Sequence, residues 1–305
     1  MDDLQRSTPL VDPQIITRST DKLIVSEAEY FQKYYDYPDI VYEWNNGVLE
    51  EKPVADHSDY LTYDWFVDLL REYLKVHPVA KTTGLEIGSR LVLPAETMIR
   101  RPDLGVVRHD NPVPLELDDK TYSGIFDLCI ESLSDSTKEN IERDTVDKKW
   151  EYENAGVKEY YILDAKNKHT AFFRLNARGV YIPIKPTKDG IIKSKVLAGF
   201  QFRQTDLYQK TSTDKMMKDV VYKGFIEVGQ QKEAKARRKA EAKALEEKQA
   251  RLEETKERRK AEAKALEEKQ ARLEEAKARQ AAEAARQTAE AEIARLKALL
   301  ATKVE

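Results

Sequence analysis

Between Arg101 and Asp164 the chain sets two acids against short apolar runs and then spaces its residues for one helix. Leu104-Gly105-Val106-Val107 follows Pro102-Asp103, and Phe126 to Ile130 runs directly into Glu131. Apolar runs this short, bounded by turn residues, read as buried strands. Residues 138–155 read as a helix closed by Gly156, since glycine readily takes the left-handed conformation that ends helices. Tyr160 to Leu163 and Thr170 to Leu175 then make a hairpin across Ala165-Lys166-Asn167-Lys168. Upstream, Ile40 to Trp44 and Val48 to Glu51 flank Asn45-Asn46-Gly47, a strong hairpin signal. Ser26 and Glu29 form a capping box for a short helix. Leu61, Trp65 and Leu69 share one helical face over 57–74. Ile87 to Leu93 alternates as a strand, with weaker strands at Val180 to Ile184 and Gly199 to Phe202. Strands outnumber helices, and one helix links Glu131 to the Tyr160 strand. That order predicts an α/β domain with a mixed, curved sheet flanked by helices.

The C-terminal quarter obeys a different rule. From about Gln231 onward the chain is almost entirely Ala, Glu, Lys, Arg, Gln and Leu. Arg237-Arg238-Lys239-Ala240 through Glu254 recurs as Arg258-Arg259-Lys260-Ala261 through Glu275, an offset of three heptads. Leu245, Leu252, Leu266 and Leu273 hold one heptad position, while the matching position holds Ala242, Gln249, Lys256, Ala263, Gln270 and Lys277. The expectation is a long charged helix, coiled-coil-like but weakly self-associating, that offers a surface to a helical partner or a second copy. The expected organisation is therefore a loose arm over 1–25, one domain over 26–210, a linker over 211–230 and the helix over 231–305. The repeat region carries roughly +5, which leaves the first 230 residues near −8 of the total −3. An acidic domain disfavours sequence-blind DNA binding through a broad basic face, though not through a local groove.

The single cysteine, Cys129, excludes an internal disulfide framework and a cysteine-rich zinc site, and its apolar setting reads as a buried structural thiol. The start Met1-Asp2-Asp3 lacks the basic and apolar regions of a signal peptide, and no apolar run is long enough to span a bilayer. A cytoplasmic protein away from the membrane is expected.

Asp103 and Glu131 are the natural pair for chemistry. Each ends a short apolar strand, and adjacent strands lie about 4.8 Å apart, so both carboxylates can reach one magnesium ion, for which manganese would substitute. Magnesium takes oxygen ligands, keeps several waters and supports phosphodiester hydrolysis through an activated water. Lys148 shares a helical face with Asp144 and Tyr152 and is the candidate catalytic lysine; Lys149, about 100° away, is its substitute. Glu43 is a third candidate acid, as a metal ligand or in a salt bridge at the sheet rim. His57 is a candidate for phosphate contact or for capping its helix, and Asp164 is a turn residue. Taken singly, Pro102-Asp103 is ordinary turn chemistry, Glu131 a rim ion-pair partner, and Asp144 with Lys148 a surface pair worth about 0.3 kcal/mol.

In order and wording these residues resemble a family of putative restriction endonucleases abundant in cyanobacteria, within the PD-(D/E)xK nuclease superfamily. The resemblance rests on Tyr42-Glu43 with Gly47, His57, Pro102-Asp103 and Glu131-Ser132-Leu133-Ser134, and most on Asp144, Lys148, Tyr152, Gly156, Val157, Glu159, Tyr160 and Asp164. It covers roughly residues 25–210. It implies a restriction-endonuclease-like core, DNA as substrate, and Asp103 and Glu131 as metal ligands. Leu133 stands where the superfamily's lysine usually follows the acid, so the lysine has to come from elsewhere, with Lys148 the candidate. Tyr161 replaces the usual Trp. Cutting both strands calls for two sites, hence a homodimer. The rival expectation is a catalytically silent nuclease-like fold that binds or scaffolds through its C-terminal helix.

Overall fold

The computed structural model describes residues 21–84 and 87–301. The expected arm therefore lies outside the described residues up to residue 20. Residues 22–25 are not loose: Lys22 and Val25 donate backbone hydrogen bonds to Leu49 and Gly47, and Ile24 bridges Val48.

The first helical turn among the described residues is α1 (Glu27–Glu29), capped by Ser26 and continued by a π turn, Tyr30–Tyr34. Strands β1 (Tyr42–Asn45) and β2 (Val48–Glu51) pair as the expected hairpin. Asn46 and Gly47 both take positive φ, 45° and 99°, as a two-residue turn matched to strand twist requires. Helix α2 (His57–Val76) is followed by β3 (Ala80–Thr83), β4 (Gly88–Val92), β5 (Thr97–Arg100), β6 (Leu104–Arg108), β7 (Thr121–Tyr122) and β8 (Leu128–Ser132). The expected helix over 138–155 is interrupted. It runs as α3 (Lys138–Glu142), a π turn (Arg143–Asp147) and α4 (Lys148–Ala155), and Gly156 ends it at φ 90°. Strands β9 (Glu159–Leu163), β10 (Ala171–Leu175), β11 (Tyr181–Pro183), β12 (Ile191–Lys193) and β13 (Gln201–Arg203) precede the short helices α5 (Asp206–Gln209), α6 (Thr213–Met216) and α7 (Val220–Lys223). Helix α8 (Ile226–Ala301) is the last element among the described residues.

Two mixed sheets result, in the orders β2-β1-β5-β4-β7 and β11-β10-β9-β8-β6-β3, beside a β12-β13 ribbon. β8 and β9 are parallel, so the helical segment between them is the crossover that parallel neighbours need. Every residue of β9 is buried, as expected of a strand covered on both faces. Alternation then sorts the side chains. Leu128, Ile130, Tyr161 and Leu163 pack with Phe66, Leu70 and Tyr73 of α2. Cys129, Tyr160 and Ile162 pack on the other side with Tyr152 of α4. Glu131, two residues beyond Cys129, therefore points to the α4 side.

Residues 211–230 are not a linker. Met216, Val221, Tyr222, Phe225 and Ile226 are all buried in the α2 core. The Lys and Asp residues between them mask that pattern in the sequence. The described residues divide into two compact units, with the boundary between Gln231 and Lys232. In the second, the repeat shows directly as repeated ion pairs: Arg237–Glu241 and Arg258–Glu262, both at 2.8 Å. Leu245, Leu252, Leu266 and Leu273 are all more than half exposed along it. No helix among the described residues is long and apolar enough to cross a membrane.

Gly105 lets β6 pass close under its neighbours. A Cβ there would meet the Phe126 ring at 2.5 Å and Thr83 Oγ1 at 2.6 Å. Gly105→Ala is predicted to destabilise the domain by about 1–3 kcal/mol, read as a lower urea midpoint at unchanged slope. A midpoint equal to the parent's would show that β6 has room to spare.

Candidate active site

The site begins with strand register. Leu104 pairs with Ile130 across antiparallel β6 and β8, so Asp103 and Glu131 stand at the same end of adjacent strands. Asp103 Oδ2 accepts the Ser132 backbone N–H at 2.7 Å, and Oδ1 accepts Lys52 Nζ at 2.8 Å. Glu131 is buried, and its Oε1 accepts from the Tyr152 hydroxyl at 3.0 Å and lies 3.1 Å from Lys148 Nζ. Lys148 reaches this point from the first turn of α4. The same ammonium lies 3.3 Å from Glu43 Oε1 and 3.4 Å from Asp144 Oδ1.

Behind this cluster sits a second buried cation. Arg100, at the end of β5, grips Glu151 through Nε and Nη2, each at 2.5 Å, the bidentate fork that suits a carboxylate. Its Nη1 donates to Glu43 Oε2 at 3.2 Å and also to Glu50. Glu43 therefore bridges the two cations, and its Oε1 additionally accepts the Arg101 backbone N–H at 2.8 Å.

Burial dominates the electrostatics. It pushes the Glu131 carboxyl up to about 8, with Lys148 opposing and Asp103 adding to the rise. It also raises Asp144, against the pull of Lys148. Burial acts the same way on Glu43, but Lys148 and then Arg100 outweigh it and hold that carboxyl below the usual range. Desolvation would lower Lys148; Glu131, Glu43 and Asp144 together reverse this, so its ammonium is retained. Lys52 is likewise raised, Asp103 and Glu131 overcoming its burial.

These groups open onto a cleft of about 320 Å³. Asp103, Glu131, Asp144, Lys52, Lys148 and Arg143 line it, with Tyr60 and Tyr63 at its wall. Among the described residues no three His, Cys, Asp or Glu side chains form a ready metal-ligand set. Magnesium, however, is commonly held by one or two carboxylates plus water. Asp103 and Glu131 provide that pair, and Asp144 Oδ1 is a buried carboxylate oxygen without a hydrogen bond in the same cleft. The donor set fits a hard divalent cation.

Of the residues expected from the sequence, Asp103, Glu131, Lys148 and Glu43 come together, although Glu43 lies behind the cleft in the ion-pair network. Lys149 does not join them; its ammonium sits over the Phe173 ring, 5.1 Å from the centroid. His57 is neither the helix cap nor a cleft residue. Asp56 caps α2 in a box with Asp59, and the His57 ring stacks on Tyr60. Asp164 is the turn residue expected, accepting backbone N–H groups from Lys166, Lys168 and His169. Lys52, Arg100 and Arg143 were not anticipated. Neither Lys52, beside Glu51 at a strand end, nor Arg100, closing a strand of four residues, is marked by a spacing signal in the sequence.

A family model described as putative restriction endonuclease (Uma2) matches residues 28–206. The chain belongs to that family. The matched span of this putative restriction endonuclease family contains every residue of the cleft and of the Arg100 network. Among solved structures, a putative nuclease belonging to DUF820 from Anabaena variabilis is similar at 14% identity and a TM-score of 0.46, covering 61% of this chain and 98% of that one. No curated protein matches the sequence.

Removing one partner of a buried ion pair strands the other. Arg100→Met would strand Glu151 and take the buried guanidinium from Glu50 and Glu43, Glu43 keeping Lys148, and is predicted to cost about 3–5 kcal/mol, measured by chemical denaturation at neutral pH. A loss below about 1 kcal/mol, typical of an exposed pair, would show that the network does not support the fold.

Proposed function

We propose that the cleft hydrolyses phosphodiester bonds of DNA with a divalent cation, magnesium or its substitute manganese. One observation carries this reading: two carboxylates at paired strand ends, Asp103 and Glu131, share a cleft with two lysines, each in contact with one of them. Family membership supports it, since restriction-endonuclease-like families generally use divalent metals.

In this reading Asp103 and Glu131 hold the cation, and the Glu131 oxygen not engaged by Tyr152 and Lys148 is available for it. The bound metal supplies an activated water and neutralises charge on the phosphate. The protein's own part is positional. The Ser132 N–H and Lys52 fix the Asp103 carboxylate, while Tyr152 and Lys148 fix Glu131. The two ammonium groups offset the negative charge of the acids and of an incoming phosphate, which water-filled surroundings would screen far more. Lys148 remains the candidate catalytic lysine, and Lys52 joins it. One cleft cuts one strand, so double-strand cutting would need a homodimer.

The test is nicking of supercoiled plasmid by the full chain with magnesium or manganese, beside Asp103→Ala and Glu131→Ala. Metal-dependent nicking, abolished by chelator and by either substitution, is the expected outcome. A folded wild-type protein that cuts no substrate with either metal would overturn the nuclease reading in favour of a binding or scaffold role.

A further inference from the structure

Among the cations of the cleft, Arg143 differs in what it touches. Lys52 is paired with Asp103, and Lys148 with Glu43, Glu131 and Asp144; Arg100, behind them, is paired with Glu43, Glu50 and Glu151. Arg143 makes no ion pair among the described residues. It is only 9% exposed, it lines the cleft, and its Nε–H is buried with no hydrogen-bond partner. Its guanidinium is nevertheless fixed in place, because Nη1 donates to the Glu51 carbonyl at 2.8 Å. It also projects from a π turn, a distortion that often marks functional positions.

A buried guanidinium with an unused donor is costly unless something anionic completes it. Its planar fork matches the oxygens of a phosphate better than a single water does. We propose that Arg143 binds a non-bridging phosphodiester oxygen of the DNA in this cleft. This rests on the nuclease reading of the site and goes beyond it by assigning substrate contact to a residue outside the two acids and two lysines. Arg143 is thus an anchor for the phosphate and acts before any metal is bound.

Binding is therefore measured without metal. In EDTA, a short fluorescent DNA duplex is titrated with the full chain, and anisotropy gives Kd for the wild type, Arg143→Met and Arg143→Lys. Thermal unfolding of each variant is followed in parallel. Arg143→Met is expected to weaken binding about tenfold or more, the scale of one charge-assisted contact, with an unfolding midpoint equal to or above the parent's. Arg143→Lys, which keeps the charge but not the fork, is expected to fall between. An unchanged Kd with a lowered midpoint would overturn the proposal and make Arg143 a strut for the Glu51 carbonyl. Should Arg143→Met not fold, Arg143→Lys decides: weakened binding supports the contact, and wild-type binding overturns it. Failure of the nuclease reading looks different. There the wild type nicks nothing, yet the Arg143 dependence of duplex binding persists, whereas an unaffected Arg143→Met that still binds and nicks leaves the nuclease reading intact without the anchor.

Discussion

One buried ammonium sets the geometry of the cleft. Lys148 is about 1% exposed and lies within ion-pair distance of Glu43, Glu131 and Asp144, which come from β1, β8 and the π turn. Taking an ammonium out of water costs several kcal/mol, and carboxylates repay that only when all are in place. The elements carrying these residues are therefore tied to one relative position. Arg100 repeats the logic one layer deeper, tying β1, β2, β5 and α4 together, and Glu43 belongs to both clusters. Apolar residues of the same volume would hold the layers at least as firmly. What the charges add is a defined address for each carboxylate, including the two at the rim of the cleft.

That division explains what could be read from the sequence. Asp103 and Glu131 were legible because their signal is local: an acid abutting an apolar strand, with register supplied by strand alternation. The Asn46-Gly47 turn and the Gly156 helix end were legible for the same reason, each depending on residues that accept positive φ. Lys52 and Arg100 were not, because their partners lie about fifty positions away, Lys52 with Asp103 and Arg100 with Glu50 and Glu151. No spacing rule connects such pairs before the topology is known. The strand that carries Arg100 has only four residues, Thr97–Arg100, too few for alternation to stand out. The π turn at Arg143–Asp147 was equally hidden, since its residues suit an ordinary helix and the wider hydrogen-bonding pattern leaves no mark in composition.

The long helix tests the opposite case, in which the pattern is entirely local. Its ion pairs fall at spacings of three and four, where side chains on a helix meet, and they recur with the 21-residue repeat. Each such pair adds only a few tenths of a kcal/mol, so the helix draws its stability from many small terms and good intrinsic propensity rather than from a packed seam. The half-exposed leucines occupy one heptad position without a matching apolar one. Within the single chain those leucines are exposed, an arrangement unlike that of the charge-locked domain preceding it.

The absent lysine after Glu131 follows from the same packing argument. Leu133, just past the end of β8, is buried in the apolar cluster with Leu91, Leu93 and Tyr152. An ammonium at position 133 would displace that cluster and compete with Lys148 for the same oxygen. With Lys148 reaching the carboxylate from α4, position 133 is free to be apolar and close the core beneath the cleft. The element that delivers the cation can change because the carboxylate selects by distance and charge alone. Lys148 stands where the π turn passes into α4, within 3.1 Å of the Glu131 carboxylate.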